Sequence, residues 1–152
     1  ERIVYWQTGW NIFNDHPLLG VGVGFSGFYF PAYIPDYGWQ LPEVNALTGW
    51  SGGLLNIKNL WSRLLAETGI PGFSFFLVFL IVVGITAREI MKHPNATRKT
   101  IGWMGIFMLI TFIVEEISVD SFALPYYWFT MGLVAATSRW TPSESTGKNG
   151  QS

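Results

Sequence analysis

The side chains able to do chemistry are few, and most are cations or carboxylates near helix ends. Arg63 and Glu67 stand four apart in a stretch of helical period, so they share a face and can pair across one turn. Lys58 immediately precedes that stretch, and Arg2 opens the first helical run. A guanidinium offers a planar fork to two phosphate oxygens, whereas an ammonium meets phosphate as a point charge. By residue type alone, Arg2 reads as a solvated chain-end arginine and Lys58 as an interfacial lysine reaching for water. Glu115 and Glu116 end an apolar run, where paired carboxylates could hold a proton but read first as a solvated interface. His16, ahead of Pro17, is a turn residue before it is a base. Asp15, Asp36 and Glu43 have no spacing that singles out an acid–base pair. The chain has no cysteine, which excludes disulfides, thiol chemistry and a Cys-built zinc site.

Gly22, Gly24 and Gly27 satisfy a G-x-G-x-x-G spacing, but a helix and a proline precede them where a dinucleotide loop needs a strand. They read as a close-packed turn in which backbone approaches backbone.

The elements that must position these residues are membrane elements. Of 152 residues, 49% are hydrophobic and 12% charged, too little charge to cover a small soluble domain. Eight Trp fit apolar–water boundaries, and a net charge of −1 gives no case for nucleic acid. The expected fold is all-α, a polytopic helical membrane protein read as the C-terminal piece of a longer chain. It has about three transmembrane helices, near 71–87, 100–117 and 122–139, and a disordered tail at 141–152. Residues 1–70 form an extracytoplasmic region with amphipathic helices.

Within that region, Ile3, Trp6, Trp10 and Phe13 recur at helical steps, widened by Tyr5 and Ile12, and Asn14 to Pro17 stop the helix. Residues 30–57 show no lasting period and read as a long loop. In Asn59 to Thr68, Leu60, Trp61, Leu64, Leu65 and Thr68 share one face, with Ser62, Arg63 and Glu67 on the other. That polar face is expected at the membrane surface. Gly69-Ile70-Pro71-Gly72 then breaks the helix ahead of an uncharged span. Arg88, Lys92, Arg98 and Lys99 cluster between the first two spans, so the positive-inside rule puts 88–99 and the tail in the cytoplasm.

Arg2 with Trp6, Asp15-His16-Pro17-Leu18-Leu19-Gly20-Val21-Gly22, and Asn59-Leu60 with Glu67-Thr68-Gly69-Ile70-Pro71-Gly72 together resemble the C-terminal half of the O-antigen ligase and polymerase family, over about residues 2–85. The resemblance implies a multi-pass bacterial inner-membrane glycosyltransferase. Such an enzyme moves a glycan from an undecaprenyl-diphosphate-linked donor to a lipid or saccharide acceptor, and needs no metal or other cofactor. It implies that Arg2 holds the diphosphate and that Lys58 is catalytic or phosphate-binding. Asn59, Arg63 and Glu67 fall in the motif as further substrate-binding residues. In the family a histidine stands where Lys58 does, so the base chemistry of a ligase does not carry over directly. The alternatives from the residues themselves are a transporter-type membrane protein or a fragment inactive without its missing half.

Overall fold

The structure is a computed structural model that describes residues 2–50, 55–119 and 122–139, with the backbone alone at 47–50. Glu1, residues 51–54, residues 120–121 and residues 140–152, which include the tail expected to be disordered, lie outside the described residues. Every regular element among the described residues is helical. These are α1 (Arg2–Asp15), α2 (Ser26–Tyr33), a 3-10 turn (Asp36–Gln40), α3 (Pro42–Trp50), α4 (Leu60–Met91), α5 (Ala96–Glu115) and α6 (Pro125–Arg139). The 30–57 stretch is therefore a chain of short helices and not a bare loop. Pro35 and Pro42 bracket the 3-10 turn, and each proline restricts the residue before it, which shortens the period below what a sequence window detects.

α4 holds two segments joined at Gly69, whose φ of 63° and ψ of −166° lie outside helical geometry. The second segment runs to Met91 through residues of high apolarity, long enough to cross a hydrocarbon core of about 30 Å. α4 and α5 are both long and apolar enough to span a membrane, and their apolar windows are only 11% and 22% buried, unlike core helices of a soluble protein. Their exposed side chains, Phe75, Val78, Ile81, Val82 and Ile85 on α4 and Phe107 and Ile110 on α5, suit lipid. α5 packs on α4 through Gly102, where a β-carbon would come within 2.6 Å of the Met91 nitrogen, and small residues permit such backbone contact. The third expected span forms α6, but its 15 residues reach only about 22 Å.

Two cores flank the first segment of α4. On one side Val4, Tyr5, Ile12, Phe30, Ile34, Val44, Leu55 and Ile57 cluster with Ala66. On the other, Leu60 joins Leu80, Leu109, Phe112, Tyr127 and Met131, and the Trp61 ring lies 6.3 Å from Phe112 and 6.2 Å from Phe76. Three expectations are corrected here. Ser62 and Glu67, expected on a wet face, are 8% and 5% exposed: α1 covers Ser62, where a β-carbon on Gly9 would stand 3.0 Å from Ser62 Cβ, and Glu67 meets Ser26 of α2. On α1 the buried stripe is Val4, Tyr5, Thr8, Gly9 and Ile12, while Ile3, Trp6 and Trp10 stay exposed. α1 carries apolar residues on both sides, and period alone does not say which side finds the core. Glu116, read as solvated, is fully buried, and Glu115 accepts a hydrogen bond from the Tyr127 hydroxyl.

Candidate functional site

The start of α4 is fixed from three directions. Asn59 caps the helix, its Oδ1 accepting from the Ser62 amide at 2.8 Å. Its Nδ2 donates to the carbonyls of Ile117 at 2.7 Å and Glu116 at 3.3 Å, and the Leu60 amide donates to the carbonyls of Glu116 at 3.1 Å and Val119 at 3.0 Å. The amino end of α4 thus sits on the carboxyl end of α5, which places opposite helix-dipole charges together. Arg2 reaches the same turn, its Nη1 donating to the Ser118 carbonyl at 2.7 Å.

Lys58 precedes this cap. Its ammonium pairs with the Glu43 carboxylate and stands 5.1 Å above the centroid of the Tyr5 ring, a cation–π distance. Both ionic side chains remain partly open to water, at 41% and 30% exposure. The hydrogen bond to Glu43 holds the Lys58 pKa above lysine's ordinary value, against a smaller opposing effect of burial. Burial in turn pushes the Tyr5 phenol up.

Arg63 and Glu67 lie farther along α4, Glu67 about 12 Å from Asn59 by helical rise. The expected pair forms, Arg63 Nε meeting Glu67 Oε1 at 3.0 Å, and the same oxygen accepts from Ser26 Oγ at 2.6 Å. The Glu67 backbone is engaged too. Val21 and Gly22 donate to the Ala66 and Glu67 carbonyls, each at 2.9 Å, and beyond the kink the Ile70 amide donates to the Pro17 carbonyl at 2.9 Å. The glycine turn is thus what its composition indicated, a place where backbone meets backbone. Gly20 at φ 66° and Gly69 at φ 63° use conformations that suit glycine.

Five residues singled out in the sequence therefore fall into two groups. Arg2 and Asn59 meet on the turn after α5, with Lys58 next to Asn59 in sequence and turned to Tyr5 and Glu43; Arg63 and Glu67 secure α4 to the 17–26 segment. Tyr5, read from the sequence only as part of an apolar face, and Glu43, read as a carboxylate with no spacing to mark it, join Lys58 in the first group. Glu43 contacts a residue 15 positions away, and no local spacing signals that.

Three clefts meet at Trp6. One of about 590 Å³ runs down the membrane helices between Trp61, Leu77, Leu80, Ile81, Leu109, Ile113 and Ile117. A second, of about 410 Å³, is walled by the exposed α1 stripe of Ile3, Trp6 and Trp10 against Asn59, Trp61 and Leu65. A third, of about 250 Å³, holds Arg2 with Ile117 and Ser118. The apolar cleft along the membrane helices thus shares Trp6 and Ile117 with the cleft of Arg2. Among the described residues, no three His, Asp or Glu side chains converge where a metal ion would sit.

A family model described as O-Antigen ligase matches residues 1–77, the part of the chain that contains Arg2, Glu43, Lys58, Asn59, Arg63 and Glu67. No curated protein matches the chain. No solved structure matches it.

Proposed function

We propose, from the premise that this chain belongs to the O-antigen ligase family, that it serves a membrane glycosyltransferase whose donor is a glycan on undecaprenyl diphosphate and whose acceptor is a lipid or saccharide hydroxyl. The observation that carries this reading is the apolar cleft along α4 and α5 that runs to Trp6 and shares Ile117 with the cleft of Arg2. An isoprenoid chain suits the first part and a diphosphate the second. Diphosphate leaves the anomeric carbon as an anion, so preorganised cations that meet its developing charge lower the barrier most. Arg2 supplies a two-pronged contact and Lys58, kept cationic by Glu43, a point charge. Asn59 holds the junction that sets both. Arg63 and Glu67 act around the donor by fixing the 17–26 segment.

The site is read as extracytoplasmic and the membrane as the bacterial inner membrane. The test is transfer from a polyprenyl-diphosphate-linked glycan by the full-length protein with Arg2→Lys and Arg2→Ala. Lysine should lose tenfold or more, because it cannot make the paired contact, and alanine more still. Wild-type transfer with Arg2→Ala would remove Arg2 from the site.

A further inference from the structure

Transfer to a hydroxyl needs somewhere for the acceptor's proton to go, and the cations at the junction cannot take it. Arg2 stays charged in any protein setting, and Lys58 is held as an ammonium. Three carboxylates of α4, α5 and the turn after α5 are committed elsewhere. Glu67 is buried under Arg63 and Ser26, Glu115 accepts from Tyr127, and Glu116 is fully buried. Glu43 differs in being partly open to water and in touching Lys58. Its position is set by the core: Val44, next to it, and Ile57, next to Lys58, are both completely buried.

We propose that Glu43 is the general base of the transfer, masked by Lys58 until a donor arrives. The inference rests on the reading of Lys58 as a diphosphate-binding cation. While paired, Glu43 faces an ammonium that stabilises its charged form and makes it a poor proton acceptor. A donor diphosphate draws the ammonium to itself, and its own negative charge then raises the basicity of the released carboxylate. The acceptor O–H proton passes to Glu43 as the acceptor oxygen bonds to the anomeric carbon. The bond from that carbon to the diphosphate breaks, its electron pair leaving on diphosphate oxygen beside Arg2 and Lys58. Glu43 returns the proton to water and pairs with Lys58 again. The base is thereby switched on by the donor, which suppresses proton abstraction at an empty site.

The experiment uses the full-length protein in nanodiscs and a polyprenyl-diphosphate-linked sugar, with donor binding and single-turnover transfer measured separately on wild type, Glu43→Gln and Glu43→Asp. Removal of the base should slow transfer by about a hundredfold or more. Donor binding should hold or tighten up to about fivefold, since no carboxylate then competes for Lys58. Glu43→Asp should recover part of the rate. Loss of binding and transfer together in Glu43→Gln would make Glu43 a structural partner and overturn the inference, as would transfer within twofold of wild type. Absence of donor binding in wild type would instead bring down the donor assignment itself, and this inference with it.

Discussion

Asn59 and Ile117 are joined by a hydrogen bond of 2.7 Å from the buried Asn59 amide to the Ile117 carbonyl, so one side chain both caps α4 and holds the end of α5. Loss of a cap costs about 1 kcal/mol, and stranding a buried partner costs roughly 1–3 kcal/mol more. Asn59→Ala should therefore destabilise the protein by about 2–3 kcal/mol, read as a lower midpoint for loss of helical circular dichroism in detergent. Asn59→Asp keeps the capping oxygen but aims a carboxylate at two carbonyls, and should lose at least as much. A wild-type midpoint for the aspartate variant would show that the α5 contact contributes nothing.

Glycines in the 20–24 turn should differ sharply in tolerance. A β-carbon on Gly20 would lie 2.4 Å from the Glu67 carbonyl carbon, whereas one on Gly24 meets nothing within 4 Å. Gly24→Ala carries only the positive-φ penalty of roughly 1–2 kcal/mol. Gly20→Ala adds a clash with main chain and should reduce folded yield far more. Equal losses at the two positions, by thermal melting of purified variants, would contradict the packed turn.

Lys58 should hold its proton above lysine's ordinary 10.5, because the Glu43 carboxylate favours the charged form. The sign follows from linkage. A raised pKa means that the pair's contribution to stability is fully present below 10.5 and is lost as pH rises through the higher folded value. Competitive acylation against pH should show Lys58 reacting later than free lysine, and Glu43→Gln should move its half-reaction point down. No movement would mean that the carboxylate does not set the charge of Lys58.

Topology is open to direct labelling. Single cysteines at Val23, which is 75% exposed, and at Thr97, on the first turn of α5, should fall on opposite sides of the membrane. An impermeant thiol reagent applied to intact spheroplasts should modify the first and spare the second. The reverse pattern would invert the orientation drawn from Arg88, Lys92, Arg98 and Lys99.

Much of the fold was legible in local pattern, because helix breaks are chemical events in single residues. Pro17 and the Gly69–Gly72 stretch stop or bend helices wherever they stand, and the end of α1 and the α4 kink follow from such signals, while α5 follows from its apolar run. Burial was less legible. The first segment of α4 is sandwiched between two cores, so its polar face meets α1 and α2 and not water, and Glu67 is buried by being paired. A period of 3.6 separates two faces but cannot say that both will be covered. Lys58 was visible as a cation, yet its partner Glu43 comes to it through the fold of an intervening segment with no period of its own.

The contact between the Pro17–Gly22 turn and the α4 kink has a consequence for descent. What a side chain at Gly20 would strike is the carbonyl of Glu67, and what one at Gly69 would strike is the carbonyl of Leu18. Residues that touch through side chains can change by turns, a larger group on one side answered by a smaller one opposite. Here the obstacle on each side is the main chain, which every residue type carries alike. No second substitution across the contact can make room for the first. The two glycines are thus closed to compensated exchange, and a lineage that loses one must rebuild the crossing itself.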